Sequence, residues 1–213
     1  MKKLLAVLAF AGLSLSGFAQ DATPTEKYSV ATNSFWSNWF IQAGAEWNAW
    51  YSSEEHGQNF STSPFKKFRS NPGVSVAIGK WFTPGIGLRT KLQGIWGKEV
   101  YNLETGAQGK FNKYWLLNEH VMFNVSNLIW GYNENRVWNV IPFVGGGIGR
   151  TMTHNFYSMD LSAGIQSTWK VAKHLNVYLE AGWNRVESDI DGGWEDGHRG
   201  WDSHDNNLYA ELG

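Results

Sequence analysis

A chain of 213 residues with a formal net charge of −1 and no cysteine excludes several classes at once. It has no basic excess for nucleic acid, and no disulfide, thiolate metal site or cysteine nucleophile is open to it. The outlier is aromatic content, 15 % with 13 tryptophans. No apolar run after the N-terminus approaches the roughly 20 residues that a membrane helix needs, so any spanning segment must be a strand.

The first residues read as an export signal. Lys2 and Lys3 precede the apolar run Leu4 to Leu15, and Gly17-Phe18-Ala19 offers small residues before a cleavage expected after Ala19. Residues 1–19 are therefore assigned to a signal peptide, and 20–37, polar and containing Pro24, to a periplasmic leader. The remainder, 38–213, reads as one domain.

That domain begins with a strand from about Trp39 to Tyr51, with Trp39, Ile41, Ala43, Ala45, Trp47 and Ala49 on one face. Gln42, Gly44, Glu46 and Asn48 occupy the other, because side chains alternate along a strand. A loop from Ser52 to Asn71 carries Glu54, Glu55, His56 and the basic run Lys66, Lys67, Arg69. Two alternating arms then meet at Thr83-Pro84-Gly85, a tight hairpin signal. In the second arm Ile86, Leu88, Thr90, Leu92 and Trp96 share one face, while Gly87, Arg89, Lys91, Gln93 and Gly97 share the other. A soluble sandwich would bury the apolar face. Similar arms recur along this chain with aromatic ends, short turns on one side and long polar loops on the other, and that is the pattern of a transmembrane β-barrel, apolar outward and polar inward.

After a loop from Glu99 to Phe111, a fourth strand, about Asn112 to Val125, places Trp115, Leu117, Val121 and Phe123 outward and Asn118, His120 and Asn124 inward. Its register leaves Glu119 facing lipid, so that residue is expected at an interface or behind a bulge. Ser126 to Arg136 reads as a polar turn. The fifth strand, about Val137 to Arg150, runs through Gly145-Gly146-Gly147, where glycine makes room for side chains from across the barrel. A short loop, Thr151 to Asn155, leads to the sixth strand, with Met159, Leu161, Ala163, Ile165 and Trp169 outward and Asp160, Ser162, Gly164, Gln166 and Thr168 inward. The seventh puts Leu175, Val177, Leu179, Ala181 and Trp183 outward and Asn176, Tyr178, Glu180 and Asn184 inward. An acidic loop, Glu187 to Asp205, precedes an eighth strand beginning near Asn206, with Tyr209 and Glu211 inward and Leu208, Ala210 and Leu212 outward. A spanning strand needs about 9 to 11 residues. The eighth is therefore expected to be cut short, leaving Trp39 to Ile41 without partners on that side. The fold class is all-β: an eight-stranded antiparallel up-and-down transmembrane barrel, too narrow for a wide open pore.

Four segments also resemble a family: GKWFTPGIGLR at Gly79 to Arg89, MFNVSNLIWGYNENRVW at Met122 to Trp138, IPFVGGGIG at Ile141 to Gly149 and LNVYLEAGW at Leu175 to Trp183. They are similar to the N-terminal barrel of OmpA-type outer-membrane proteins of the Bacteroidetes. The resemblance implies an eight-stranded barrel in the cell outer membrane of a Gram-negative bacterium. It also implies a following periplasmic domain that binds peptidoglycan, which this sequence does not contain.

The strongest chemical constellation lies on the inward faces. Glu46, Glu180 and Glu211 oppose Arg89 and Lys91 in a narrow lumen, where buried charges must pair or become neutral. A salt-bridged plug is expected; a porin-like small-solute or ion path could use the same residues. The last loop holds Glu187, Asp189, Asp191, Glu195, Asp196, Asp202 and Asp205 with His198 and His204, but without the spacing of a calcium loop or a helical zinc site. His56, His154 and Ser158 fall within no nucleophile motif, so neither catalysis, as in a lipid-modifying enzyme, nor a cofactor is expected. Lys66, Lys67 and Arg69 with Phe65 and Phe68 read as a solvated loop that could touch anionic headgroups. The expected role is structural support of the envelope, with outer-membrane lipids and lipopolysaccharide as neighbours and surface loops available for adhesion.

Overall fold

The computed structural model describes residues 36–52, 70–100, 108–152, 155–187 and 204–213. Expectations for the signal and leader, for His56, His154, His198 and the charged loop residues numbered 54–69 and 189–202, and for the facing of Trp96 and His204 lie outside the described residues and side chains.

Eight strands close into an antiparallel barrel in chain order: β1 (Trp39–Ser52), β2 (Ser70–Trp81), β3 (Ile86–Val100), β4 (Gln108–Phe123), β5 (Trp138–Thr151), β6 (Phe156–Ala172), β7 (Leu175–Glu187) and β8 (His204–Leu212). Each pairs with its sequence neighbours, and β8 closes on β1 from Ala45↔Leu212 to Ser52↔Asp205. The β1–β2 ladder continues down to Trp39↔Lys80, so among the described residues the lower part of β1 is laddered by β2 alone. At one end, here the turn end, β2 passes to β3 through 82–85 and β6 to β7 through 173–174. The other, the loop end, carries the connections 53–69, 101–107, 152–155 and 188–203.

Alternation gives this molecule an inverted distribution of polarity. Arg89, Lys91, Gln93, Gln166 and Tyr178 are buried in the interior, whereas Leu92, Leu161, Ile165, Val177 and Leu179 are exposed on the outer wall. Leu88 is half-buried on the same wall. Burying polar atoms while exposing leucine is costly in water and favourable when the outside is hydrocarbon. Tryptophans edge the wall at the turn end, where Trp39, Trp138 and Trp169 are all exposed, suiting an interface because each ring is apolar with one polar N–H. Ala49 keeps the outward register opposite Leu208 but is covered, at 4 % exposure. No described helix is long and apolar enough to cross a membrane.

One local expectation is corrected and another is narrowed. The segment read as a polar turn from Ser126 to Arg136 contains a helical turn, α1 (Val125–Trp130), whose N-cap Asn124 accepts from the amide of Asn127 at 3.0 Å. Its outer residues Leu128, Ile129 and Trp130 are exposed, and Leu128 covers the hairpin glycine Gly85. No bulge shifts Glu119. The ladders on both sides run through it without a shift, to Thr90 and to Gly146. It faces outward with Leu117 and Trp115 on one side along the strand and Val121 and Phe123 on the other. Thr90 Oγ1 donates to its Oε2 at 2.5 Å, which meets part of its hydrogen-bonding demand within the apolar wall.

Candidate functional site: the filled lumen

The lumen is layered along the barrel axis. At the turn end Met122, Ile141, Phe143 and Tyr209 form an apolar cluster with Phe40 and Trp81 packed against it. At the loop end Trp50, Tyr114, Leu116 and Val186 form a second, with Trp50 meeting Tyr114 edge-on at 4.9 Å. The charged layer lies between them.

Its hub is Glu180 on β7. Arg89 on β3 grips this carboxylate with both terminal nitrogens, Nη1 to Oε2 at 2.6 Å and Nη2 to Oε1 at 3.2 Å. Lys91 Nζ donates to Oε1 at 2.7 Å, Gln166 Nε2 to Oε2 at 2.8 Å and the Tyr209 hydroxyl to Oε1 at 2.8 Å. Donors from three other strands thus converge on one fully buried carboxylate. Bidentate, charge-assisted geometry of this kind is the condition under which a buried pair offsets its desolvation.

Glu211, beside Glu180 in the β7–β8 register, pairs with Lys91 Nζ at 2.6 Å and accepts from the Tyr178 hydroxyl. The sheath around Arg89 completes the layer: Nη1 reaches Gln42 Oε1 at 3.1 Å, and the guanidinium sits 4.7 Å over the Phe143 ring. Nη2 meets His120 Nδ1 at 3.0 Å. Since arginine only donates, Nδ1 must accept, which leaves His120 Nε2 to donate to Ser162 Oγ at 3.0 Å.

All five residues singled out from the sequence face this lumen and are buried. Arg89, Lys91, Glu180 and Glu211 join in one network. Glu46 stands beside Glu211 in the β1–β8 register and hydrogen-bonds to Asn48 at 3.2 Å, with no ion pair among the described residues. Tyr178, Tyr209, Gln42, Gln166 and His120 are equal members, and their shared inward parity was the available signal. Two glycines make the layer possible. A Cβ on Gly44 would lie 2.5 Å from Glu211 Oε1 and 2.7 Å from the Tyr178 hydroxyl, and one on Gly182 would strike the Tyr209 ring.

Toward the loop end the buried Gln93, Asn118, Asn184 and Asn207 form a polar layer, with Asn118 donating to Asn184 at 3.4 Å and Asn184 to Asn207 at 3.3 Å. Asp160 and Ser158 are buried beside it, and Asp160 has no ion pair among the described residues. Among those residues no group of three or more His, Cys, Asp or Glu is placed to hold a metal ion.

No family model matches the sequence. The chain is 28 % identical over 158 residues to outer membrane protein 40 of Porphyromonas gingivalis, covering 70 % of this chain and 38 % of that protein. It is 23 % identical over 193 residues to outer membrane protein 41 of the same organism, covering 84 % and 47 %. The chain therefore spans less than half the length of these curated relatives. Among solved structures it is similar to Ail, the attachment invasion locus protein of Yersinia pestis, with a TM-score of 0.41 and 11 % identity over 82 % of this chain and 95 % of that one. It is also similar to Neisserial surface protein A, with a TM-score of 0.43 and 12 % identity over 82 % and 94 %. The two sequence relatives and the apolar outer wall place this barrel in the outer membrane.

Proposed function

We propose that this outer-membrane barrel is a structural element of the envelope: a plugged cylinder without catalytic residues. Its loop end faces the cell exterior, and its surface loops are available for adhesion or interaction. The carrying observation is the Glu180 carboxylate, on which Arg89, Lys91, Gln166 and Tyr209 converge. Together with the Phe40 and Trp81 rings at the turn end, this layer leaves the interior filled by side chains, as expected for eight strands. The outward orientation of the loop end rests on the usual build of such barrels, with short turns on the periplasmic side. Peptidoglycan attachment, which the OmpA-type resemblance implies, is assigned to no residue of this barrel.

The test is conductance of the folded protein in planar bilayers. Membranes carrying the barrel should stay at baseline current. Discrete open steps whose size changes on Arg89→Gln would instead support the alternative, a narrow ion or solute path, which the polar lining of Gln93, Asn118, Asn184 and Asn207 favours. A change in lipid A mass on expression would support the lipid-modifying alternative.

A further inference from the structure

The outer wall is apolar over most of its height, but at the loop end it carries cations. Lys113 and Arg150 stand on adjacent strands, one residue from Tyr114 and Thr151, which pair with each other and are both buried inward. Both cations therefore point outward. Arg150 lies directly across from Trp115 on one side and from Tyr157 on the other. Its guanidinium sits 5.0 Å over the Tyr157 ring, and Tyr157 meets Trp115 edge-on at 6.2 Å. Arg185, outward on β7 opposite Leu161, extends the cationic band, with Glu187 the next outward residue on that strand. Above Glu119, the outward described residues of β4, β5 and β6 include no carboxylate.

Arg150 is held but not saturated. Its Nη2 donates to Asn155 Oδ1 at 2.5 Å, which anchors one end of the guanidinium to the turn before β6. Its Nε is covered and has no hydrogen-bond acceptor among the described residues. A guanidinium recognises tetrahedral or planar oxyanions through its accessible N–H groups. Such a cation facing acyl chains needs an anion at headgroup level, and the adjoining aromatic rings offer flat surfaces to a sugar.

We propose that Lys113, Arg150 and the Trp115–Tyr157 pair form a site for the phosphorylated sugar headgroup of an outer-leaflet glycolipid of the lipid A type. The proposal rests on the orientation given above, with the loop end in the outer leaflet. Lys113 supplies a point charge and Arg150 a directed fork, so one phosphate can bridge the two strands. The rings hold the glycosidic face.

The experiment is native mass spectrometry of the refolded barrel in detergent, titrated with bisphosphorylated lipid A, the same lipid dephosphorylated, phosphatidylglycerol and inorganic phosphate. Wild type should bind the bisphosphorylated lipid roughly tenfold or more tighter than the dephosphorylated one, the scale of one charge-assisted hydrogen bond. The K113Q/R150Q pair should lose that preference, and K80Q, which alters an outward lysine near the turn end, should keep it. Heat-modifiable migration on a gel checks that each variant is folded, and the wild-type lipid comparison needs no variant. Equal binding of the two lipid A forms, or a K113Q/R150Q protein that retains the preference, overturns the site. Phosphatidylglycerol or free phosphate competing on equal terms overturns its assignment to a glycolipid. Loss of the preference in K80Q alone overturns the orientation on which the site rests.

Discussion

Arg89 and Glu180 lie 91 residues apart and meet across the lumen as a bidentate pair, with contacts of 2.6 and 3.2 Å. The pair joins β3 to β7, strands on opposite sides of the barrel, so its contribution is to closure and not to any one ladder. Removing either partner leaves the other charge buried, at a cost of about 3–5 kcal/mol, whereas replacing both with apolar groups of similar volume costs much less. Arg89→Met and Glu180→Met should therefore each lower the urea midpoint of the refolded barrel strongly, and the double variant should recover part of the loss. Additive losses in the double variant would mean that the pair does not act as a unit.

Glu119 allows the opposite test. It faces outward between Leu117 and Val121 with a hydrogen bond from Thr90, and a lipid-facing carboxylate is more destabilising the nearer it lies to the bilayer centre. Glu119→Leu should stabilise the barrel by about 1–2 kcal/mol in lipid vesicles. Thr90→Val should cost less in the Glu119→Leu background than in wild type. A destabilised Glu119→Leu protein would show that the carboxylate has a partner in the membrane.

The inward glycines make a packing prediction. Gly182 lies against the Tyr209 ring, and Tyr209 in turn donates to Glu180. Gly182→Val should displace that hydroxyl and cost about 1–3 kcal/mol through overpacking. Ala181→Val, one residue away on the exposed outer wall, should change stability little. Refolding yield and urea midpoint in detergent report both, and equal effects at the two positions would contradict the assigned facing.

Much of this was legible in the sequence because a strand has a period of two. Once Leu88 and Arg89 were assigned to opposite faces, the barrel followed from repetition of the pattern, and Glu46, Lys91, Glu180 and Glu211 followed from parity. Parity does not say which glutamate receives the cations. That depends on how strand registers accumulate around a closed sheet, and it selected Glu180 as the hub and left Glu46 to Asn48. Helix α1 was hidden by the polar composition of Ser126 to Arg136, although Asn124 ahead of an apolar Leu128-Ile129-Trp130 run was a capping signal. The register of Glu119 was legible too, but a bulge is not what accommodates it: the hydroxyl opposite, on Thr90, is its partner.

The most direct test of the plugged barrel uses the absence of cysteine from the sequence. Single cysteines at Leu161, Ile165 and Leu179 on the outer wall, and at Ser162 and Gln166 in the lumen, can each carry a nitroxide label in lipid vesicles. Collisions with oxygen, which concentrates in hydrocarbon, and with a water-soluble nickel chelate then report the surroundings of each site. The outer-wall labels should be open to oxygen and closed to nickel, and the lumen labels closed to both. Lumen labels as open to nickel as a label in bulk water would mean a water-filled channel and contradict the plug.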